Sequence, residues 1–392
     1  MTFSTEFWKW VELNAGQDTA RLRLKGGREQ WINQAIMQID CRRRASTKIA
    51  EELKCPTFFF PTELSAEQCT SDAVAALHAS LVEPGEKVLD LTAGLGIDAF
   101  HIARRAALVT ALDMNPDVAA ALEHNANVLG LDNVRAVCAD STEYIKSVAD
   151  GAFDTVFIDP ARRSADNRRL FSLHDCQPDV VELLPQIRRV SQRLIVKASP
   201  MLDITAVIRE LPGTTAIYSA GTNSECKELL AVVDFKDKAI EDAAVHIWTP
   251  DCDYRFTQRQ EQEASAVFGR PENGWWLYEP WPVTHKAAPF RLLSAQFGLM
   301  ELAANTHVYT SPEEVDGFPG TKRRVMEVLP FASRVLKNFS KAYPKIDVAV
   351  RNFPMSADAL RAKLRVAPAS TDGLRLIAAT ARSDEKLLIV VR

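Results

Sequence analysis

Between residues 86 and 235, short apolar runs alternate with segments whose apolar residues recur at helical spacing. The apolar runs are KVLDL, VTALD, VRAVCAD, FDTVFID and RLIVKAS, and helical segments such as IDAFHIARRA and PDVAAALEHNANVLG lie between them. This alternation predicts βαβ units with right-handed crossovers and a largely parallel sheet. Only GTNSECK separates the next two runs, TTAIYSA and ELLAVVDF, so we expect the seventh strand to insert antiparallel beside the fifth.

The segments on either side of this alternation have different patterns. Residues 1–80 are predicted to be helical, because five apolar residues recur at helical spacing: Trp31, Ile32, Ala35, Ile36 and Ile39. Ser65-x-x-Gln68 has the form of a capping box ahead of another amphipathic helix. After residue 240 the pattern is α+β, and IDVAVRNF, SADALRAKLRV, LRLIAATA and KLLIVVR predict a terminal βαββ unit.

The composition is that of an ordinary globular protein with no membrane partner. The 392 residues are 47% hydrophobic and 25% charged, enough for two or three domains. No apolar run approaches the roughly 18–20 residues of a membrane span, and the N-terminus lacks a signal-peptide pattern. Seven scattered cysteines without a CxxC pair favour reduced thiols in the cytoplasm and argue against a metal site.

The net charge of −4 is unevenly distributed along the chain. Residues 81–319 hold 22 basic and 35 acidic residues, a net −13, whereas residues 320–392 hold 15 and 6, a net +9. The basic tail is consistent with a polyanionic partner such as RNA, although a solvated basic surface explains it equally well. The candidate RNA contacts in this tail are Lys322, Arg323, Arg324, Arg361, Lys363 and Arg365. Arg361 and Arg365 are expected one turn apart on one face of a helix.

The segment VLDLTAGLGID (residues 88–98) carries the most informative motif. A strand ends at Asp90, and a loop with Gly94 and Gly96 opens a helix; glycine there allows a ligand to approach the backbone closely. Gly94-x-Gly96-x-x-Ala99, with Asp113 nineteen residues after Gly94, also fits a nicotinamide-dinucleotide fingerprint. However, a carboxylate at Asp90 would repel a pyrophosphate and attract the cationic amino group of S-adenosylmethionine.

Four consecutive predicted strands each end in an aspartate: Asp90, Asp113, Asp140 and Asp159. Because the carboxyl ends of parallel strands share one edge, these side chains are expected to lie together where α/β sheets bind ligands. Asp113 is placed to bind ribose hydroxyls, and Asp140 to bind an adenine amino group. A single aspartate of this kind is usually a turn or helix cap, but four in register favour a binding edge.

The motifs resemble those of class I S-adenosylmethionine-dependent methyltransferases with a THUMP-like C-terminal domain, a bacterial family of the Bacteroidetes type. The matching segments are DLTAGLGID (90–98), ALDMNP (111–116), EHNANVLGL (123–131), FIDPARRS (157–164), SPMLDI (199–204), NSECKELL (223–230), WLYEP (276–280), NTHVYTS (305–311) and FPG (318–320).

The resemblance implies an α/β fold with a Rossmann-like seven-stranded methyltransferase sheet and C-terminal α+β units. Its expected boundaries are a helical region over 1–80, the methyltransferase domain over 81–240, a ferredoxin-like unit over 245–320 and the THUMP-like domain over 321–392.

The segment IDPARR (158–163) is similar to the Asp/Asn-Pro-Pro-aromatic tetrad of methyltransferases that act on base amines. This chain keeps Asp159 and Pro160, which are expected to be catalytic, but has Ala161 and Arg162 in place of the last two residues. Arg162 would stack on a base and Arg163, with Arg168 and Arg169, would hold phosphates, unless they pair with acidic side chains instead. Lys197 is expected at the same mouth, as a further substrate-binding residue.

The expected cofactor-binding residues for S-adenosyl-L-methionine are Asp90, Leu91, Thr92, Ala93, Gly94, Gly96, Asp113, Met114, Asp140, Ser141 and Asp159. The favoured function is methyl transfer from this cofactor to a base of tRNA or rRNA. The alternatives are methylation of a small molecule or a protein, an RNA-binding protein that retains the cofactor without turnover and, last, a nicotinamide dehydrogenase.

Overall fold

The computed structural model describes residues 3–25, 31–162, 172–236, 242–368 and 373–392. Its α-helices are α1 (Thr5–Asn14), α2 (Thr19–Lys25), α3 (Ile32–Ala45), α4 (Glu63–Gln68), α5 (Asp72–Ser80), α6 (Ile97–Ala103), α7 (Pro116–Val128), α8 (Ser141–Ser147), α9 (Val180–Val190), α10 (Ile204–Glu210), α11 (Gln258–Glu263), α12 (Pro282–Ala287), α13 (Phe290–Phe297), α14 (Ser333–Ala342) and α15 (Ala357–Leu364).

The strands are β1 (Lys87–Asp90), β2 (Leu108–Asp113), β3 (Val134–Cys138), β4 (Thr155–Ile158), β5 (Ala161–Arg162), β6 (Cys176–Gln177), β7 (Arg193–Ala198), β8 (Thr214–Gly221), β9 (Cys226–Asp234), β10 (Ala244–Thr249), β11 (Cys252–Thr257), β12 (Val267–Phe268), β13 (Trp276–Pro280), β14 (Met300–Glu301), β15 (Tyr309–Ser311), β16 (Gly320–Pro330), β17 (Asp347–Arg351), β18 (Arg375–Thr380) and β19 (Lys386–Val391).

The chain divides into two compact units. The first comprises Met1–Ile217 and Glu228–Glu241, and the second comprises Tyr218–Lys227 and Asp242–Arg392. Strands β8 and β9 therefore pass from one unit to the other along the chain.

A twisted α/β sheet organises the first unit. Seven adjacent strands of this nine-stranded sheet lie in the order β8-β9-β7-β4-β1-β2-β3. The neighbours from β7 to β3 are parallel, and β9 pairs antiparallel with β7, with Leu194 opposite Val233. The predicted α/β class and the antiparallel insertion beside the fifth strand are both confirmed. Because β4, β1, β2 and β3 are adjacent and parallel, their carboxyl ends meet at one edge of the sheet.

The N-terminal helices of the first unit pack on the sheet's outer helices through a buried aromatic run, Phe58 to Phe60. The amide of Asn125 in α7 both donates to and accepts from the backbone of Phe59, and Gln38 in α3 does the same with Phe60. Each buried phenylalanine contributes about 2–3 kcal/mol through the hydrophobic effect. The buried amides satisfy a backbone segment that has no strand neighbour to pair with.

The predicted capping box at Ser65 and Gln68 is wrong. Helix α4 begins three residues earlier than that pattern implies, and its N-cap is Thr62, whose side chain accepts from the Ser65 backbone N–H at 3.1 Å. Thr62 has the extended backbone of an N-cap residue. A hydroxyl at the earlier position therefore takes the capping role that the sequence pattern gave to Ser65.

An eight-stranded sheet organises the second unit, in the order β12-β14-β15-β13-β16-β19-β18-β17. Alternate residues of β18 and β19 enter two different cores: Ile377 and Ile389 pack in one, Leu376 and Leu388 in the other. This period of two shows that both faces of the sheet are covered. The predicted terminal βαββ unit is present as β17, α15, β18 and β19.

One expectation for α15 is wrong. The helix ends at Leu364, and Arg365 follows it with a left-handed φ of 57°. Arg361 and Arg365 therefore do not lie one turn apart on a common helical face.

Among the described residues, no helix is both long enough and apolar enough to span a membrane.

Candidate active site

The four aspartates singled out in the sequence follow neighbouring strands of the first sheet. Asp90 and Asp113 are the last residues of β1 and β2, and Asp159 directly follows β4. Asp140 comes two residues after β3 and caps α8. The sheet order places all four at the same carboxyl edge.

The carboxyl group of Asp90 is almost fully buried, with 1% of the residue exposed. Its Oδ1 accepts from the Thr92 backbone N–H at 3.0 Å, whereas its Oδ2 is buried with no hydrogen-bond partner. Burial raises the pKa of Asp90 to about 8, against the Thr92 N–H, which lowers it; the nearby charges of Asp98 and Asp159 raise it further. A buried carboxylate oxygen without a donor is costly, so this position fits a ligand that brings a cationic N–H group.

The loop after Asp90 is held by backbone hydrogen bonds to the two neighbouring strands. The Leu91 N–H donates to the carbonyl of Phe157, and the Ala93 N–H donates to that of Leu112. Gly94 has a positive φ of 53°, and a Cβ placed there would meet no atom within 4 Å, so its surroundings are open for a ligand. Gly96 also has a positive φ, of 95°, but here close packing excludes a side chain: a Cβ would lie 2.2 Å from the Leu122 side chain.

Beyond this loop, the remaining predicted cofactor residues line the same edge. Burial raises the pKa of Asp113, although N–H groups of Asn115 and Gly94 oppose this. Met114 beside it is 70% exposed. Asp140 accepts from both the N–H and the hydroxyl of Thr142, so this aspartate acts as a helix cap, and Ser141 is buried.

Asp159 is fixed at both its backbone and its side chain. Its N–H donates to the Thr92 hydroxyl at 2.7 Å, which ties the fourth strand to the loop after Asp90. Its Oδ2 lies 2.6 Å from the ammonium group of Lys197, which also donates to Thr70 at 3.1 Å. Burial raises the pKa of Asp159 and the Lys197 charge opposes that rise; the side chain is still 39% exposed.

The segment after Asp159 is only partly described. Pro160 is half-buried, and the backbone of Ala161 and Arg162 forms β5, which pairs with β6. The side chain of Arg162 and the whole of Arg163 lie outside the described residues, as do Arg168 and Arg169. The ammonium group of Lys197 is engaged by Asp159 and Thr70, and its predicted contact with substrate stays a prediction.

A buried polar network behind Asp159 was missed in the sequence. It continues from Thr70, whose hydroxyl donates to Asp98 at 2.7 Å. The His78 ring lies between two carboxylates, with Nδ1 2.8 Å from Asp98 and Nε2 2.5 Å from Glu228. These residues come from α5, α6 and β9, so no local spacing in the sequence could have brought them together.

The network holds an excess of negative charge. Burial disfavours the imidazolium form of His78, but the carboxylates of Glu228 and Asp98 raise its pKa to about 10. Burial also opposes ionisation of Asp98, but His78 holds the pKa of Asp98 well below its usual range. Three carboxylates, those of Asp98, Asp159 and Glu228, thus face two cations, His78 and Lys197. Adding an ionised Asp90 makes the imbalance larger, which is why a cationic ligand suits this edge.

A second polar cluster in the first unit involves Glu52, Asp72 and His101. One potential ligand atom from each lies within 4.8 Å of the others, an arrangement that could hold a metal ion. Arg104 already forms an ion pair with Glu52 at 2.9 Å, so the cluster has a cation of its own. The absence of a metal stays a prediction.

Comparison with known proteins identifies three domains in the chain. Residues 82–199 match the family model of a methyltransferase domain, residues 276–319 that of a ferredoxin-like domain and residues 320–392 that of a THUMP domain-like family. The chain carries a methyltransferase domain followed by ferredoxin-like and THUMP-like domains. The family resemblance predicted from the motifs is confirmed.

A solved structure from Porphyromonas gingivalis W83, named as a putative methyltransferase, is similar along the whole length of this chain. The two share 26% identity with a TM-score of 0.89, over 100% of this chain and 99% of the other.

Curated relatives match part of the chain only. A 23S rRNA (uracil(1939)-C(5))-methyltransferase from Alkalilimnicola ehrlichii is 39% identical over 106 residues, 26% of this chain and 24% of the relative. A tRNA (uracil(54)-C(5))-methyltransferase from Pyrococcus horikoshii is 28% identical over 134 residues, 34% of this chain and 31% of the relative. The matches thus span less than a third of these relatives' lengths.

Proposed function

We propose that this protein transfers the methyl group of S-adenosylmethionine to a base of RNA. The observation that carries the proposal is the unpartnered Oδ2 of Asp90, buried at the carboxyl edge beside the open Gly94. The methyltransferase domain supports the reaction type, and the partial likeness to rRNA and tRNA methyltransferases supports RNA as the substrate.

The residues at this edge fit the cofactor's chemistry. Asp90 would hold the cationic amino group, because its orphan oxygen lacks a donor. Asp113 would accept hydrogen bonds from ribose hydroxyls, and the adenine would lie near Asp140 and Ser141, with the exposed Met114 beside it. The bound cofactor supplies an electrophilic methyl group attached to a sulfonium. The remaining loop residues, Leu91 to Ala93 and Gly96, shape the cradle.

Asp159 is proposed to face the acceptor base. Thr92 fixes its backbone and Lys197 fixes one carboxylate oxygen, so its orientation is set before substrate arrives. A carboxylate held in this way accepts a hydrogen bond from the acceptor and aligns it with the methyl group, while Pro160 restricts the backbone. Such positioning is the main task of the protein in a displacement at an activated methyl.

Calorimetry separates the cofactor claim from the alternatives. The full chain should bind S-adenosylhomocysteine and not NAD. Asp90→Asn should weaken this binding by about 1–3 kcal/mol, because the amino group then loses a charged acceptor. Asp132→Asn, an exposed turn residue, is the matched control and should bind normally. Binding of NAD alone would refute the proposal.

Mass spectrometry tests the RNA claim. Nucleosides from cells with and without the gene should differ by one methylated species, which the purified protein restores on RNA from the deficient cells. Cofactor binding without any methylated nucleoside in either experiment would favour a small molecule or protein substrate, or a protein without turnover.

A further inference from the structure

A cleft of about 480 Å³ in the second unit is lined by three arginines and one glutamate. Arg323 of β16, Arg351 at the end of β17 and Arg375 at the start of β18 line it. Glu279 of β13 and Trp281 also line the cleft.

The strand register explains why these residues meet. Glu279 is paired with Thr321, two residues before Arg323, so Glu279 and Arg323 lie on the same face of adjacent strands. Both Val325 and Arg375 are paired with Val391, which places Arg375 on that face as well. Arg324, the next residue of β16, lies on the opposite face, where its guanidinium is 5.1 Å from the Trp276 ring.

The charges in the cleft do not balance. Glu279 is buried and pairs with Arg351 at 2.8 Å, which leaves two guanidinium groups in excess of carboxylates among the lining residues. Burial lowers the pKa of Arg323; Glu279 opposes this, and the charges of Arg375 and Arg351 lower it further. The Nε of Arg375 is buried with no hydrogen-bond partner. Buried donors and unbalanced positive charge both suit an anionic ligand.

We propose that this cleft binds a phosphate monoester, the terminal phosphate of an RNA chain. A monoester carries a charge of about −1.5 to −2 at pH 7, which matches the two excess arginines better than the single charge of an internal phosphodiester does. The forked guanidinium groups bind phosphate oxygens in pairs. The half-buried Trp281 offers a ring surface for the neighbouring nucleoside. The choice of RNA as the source rests on the proposed function, whereas the phosphate chemistry does not.

Fluorescence anisotropy on the full chain provides the test, with one ten-nucleotide RNA carrying either a 5′-phosphate or a 5′-hydroxyl. The phosphorylated RNA should bind about tenfold or more tightly, and inorganic phosphate or AMP should compete with it. Arg323→Gln and Arg375→Gln should remove this preference, and Arg323→Lys should restore part of it. Arg324→Gln is the matched control and should keep it. Arg351 is left intact, since its loss would strand the buried Glu279.

Thermal unfolding of each variant, read by circular dichroism, verifies that it is folded. Equal affinity for the two RNA forms, with no competition by phosphate, would overturn the proposal. Binding of AMP and inorganic phosphate in calorimetry, without binding of either RNA, would retain the phosphate site but remove RNA as its source. Methyl transfer is measured separately, so a wild-type chain that methylates RNA but shows no preference for the 5′-phosphate refutes the cleft and not the enzyme.

Discussion

The two units concentrate opposite charges, and each does so by a different route. At the carboxyl edge of the first sheet, the carboxylates of Asp98, Asp159 and Glu228 outnumber the buried cations His78 and Lys197, and Asp90 adds to this excess when it is ionised. In the cleft of the second unit, one carboxylate faces three guanidinium groups. The edge is prepared for a cationic ligand and the cleft for an anionic one. The proposed methylation of RNA would use both, because S-adenosylmethionine carries positive charge and RNA carries negative charge.

The largest expected effect concerns Asp159. Asp159→Ala should reduce methyl transfer by about 10²–10⁴-fold, the range found when a positioned catalytic side chain is lost. Affinity for S-adenosylhomocysteine should stay within a few-fold, because in the proposed function Asp90 and Asp113, and not Asp159, would hold the cofactor. Single-turnover assays with matched calorimetry measure both. Equal loss of cofactor binding in Asp159→Ala and Asp113→Ala would erase this division of roles.

The second effect tests how strongly the stability of the acidic edge depends on the buried imidazolium of His78. His78→Leu should destabilise the first unit by about 3–5 kcal/mol, because the buried carboxylates of Asp98 and Glu228 then lose their shared partner. The matched control is His174→Leu, which removes a histidine that also pairs with a carboxylate, Asp179, but is 54% exposed. That change should cost less than about 1 kcal/mol. Urea unfolding followed by circular dichroism compares the free energies of unfolding of the two variants. Similar losses of stability would show that burial does not strengthen the contacts of His78 with Asp98 and Glu228.

A third effect follows from the raised pKa of Asp90. The folded protein binds a proton at Asp90 up to pH of about 8, whereas the unfolded chain releases it near the ordinary value of 3.8. Stability should therefore fall as pH rises between these values, by at most about 1.4 kcal/mol per pH unit. Asp90→Asn should lack this component and be more stable than the wild type at pH 9.

The same variant should bind the cofactor more weakly at pH 9, where the wild-type carboxylate is ionised. The free energy of unfolding and the affinity for the cofactor, both measured at pH 6 and pH 9, test the direction of each change. A variant that gains stability without losing affinity would show that Asp90 does not contact the cofactor.

In both regions the sequence predicts some of the residues but not the side chains that they meet. The strand-end aspartates could be predicted because a parallel sheet brings the ends of consecutive strands together. The buried network behind Asp159 could not, since Thr70, His78 and Glu228 come from distant segments and carry no motif. The same is true of the cleft: Arg323 was a candidate, but Arg351 and Arg375 join it only through the register of the second sheet. Periodicity predicts elements and edges, whereas side-chain partners depend on tertiary contacts.

The smallest expected effect concerns two arginines around α15 that were candidates for RNA binding, the half-buried Arg361 and the exposed Arg365. Arg361 pairs with Asp358 of its own helix at 2.7 Å, and Arg365 lies beyond the helix end. The two guanidinium groups therefore do not share one helical face, and Asp358 partly neutralises the charge of Arg361. Arg361→Gln should therefore change the slope of log affinity against log salt by less than the roughly 0.7–0.9 expected for a lost phosphate contact. Arg323→Gln should lose the full amount. Filter binding across a salt series on the full chain measures both slopes; equal changes would mean that RNA follows the surface of α15 as closely as it enters the cleft.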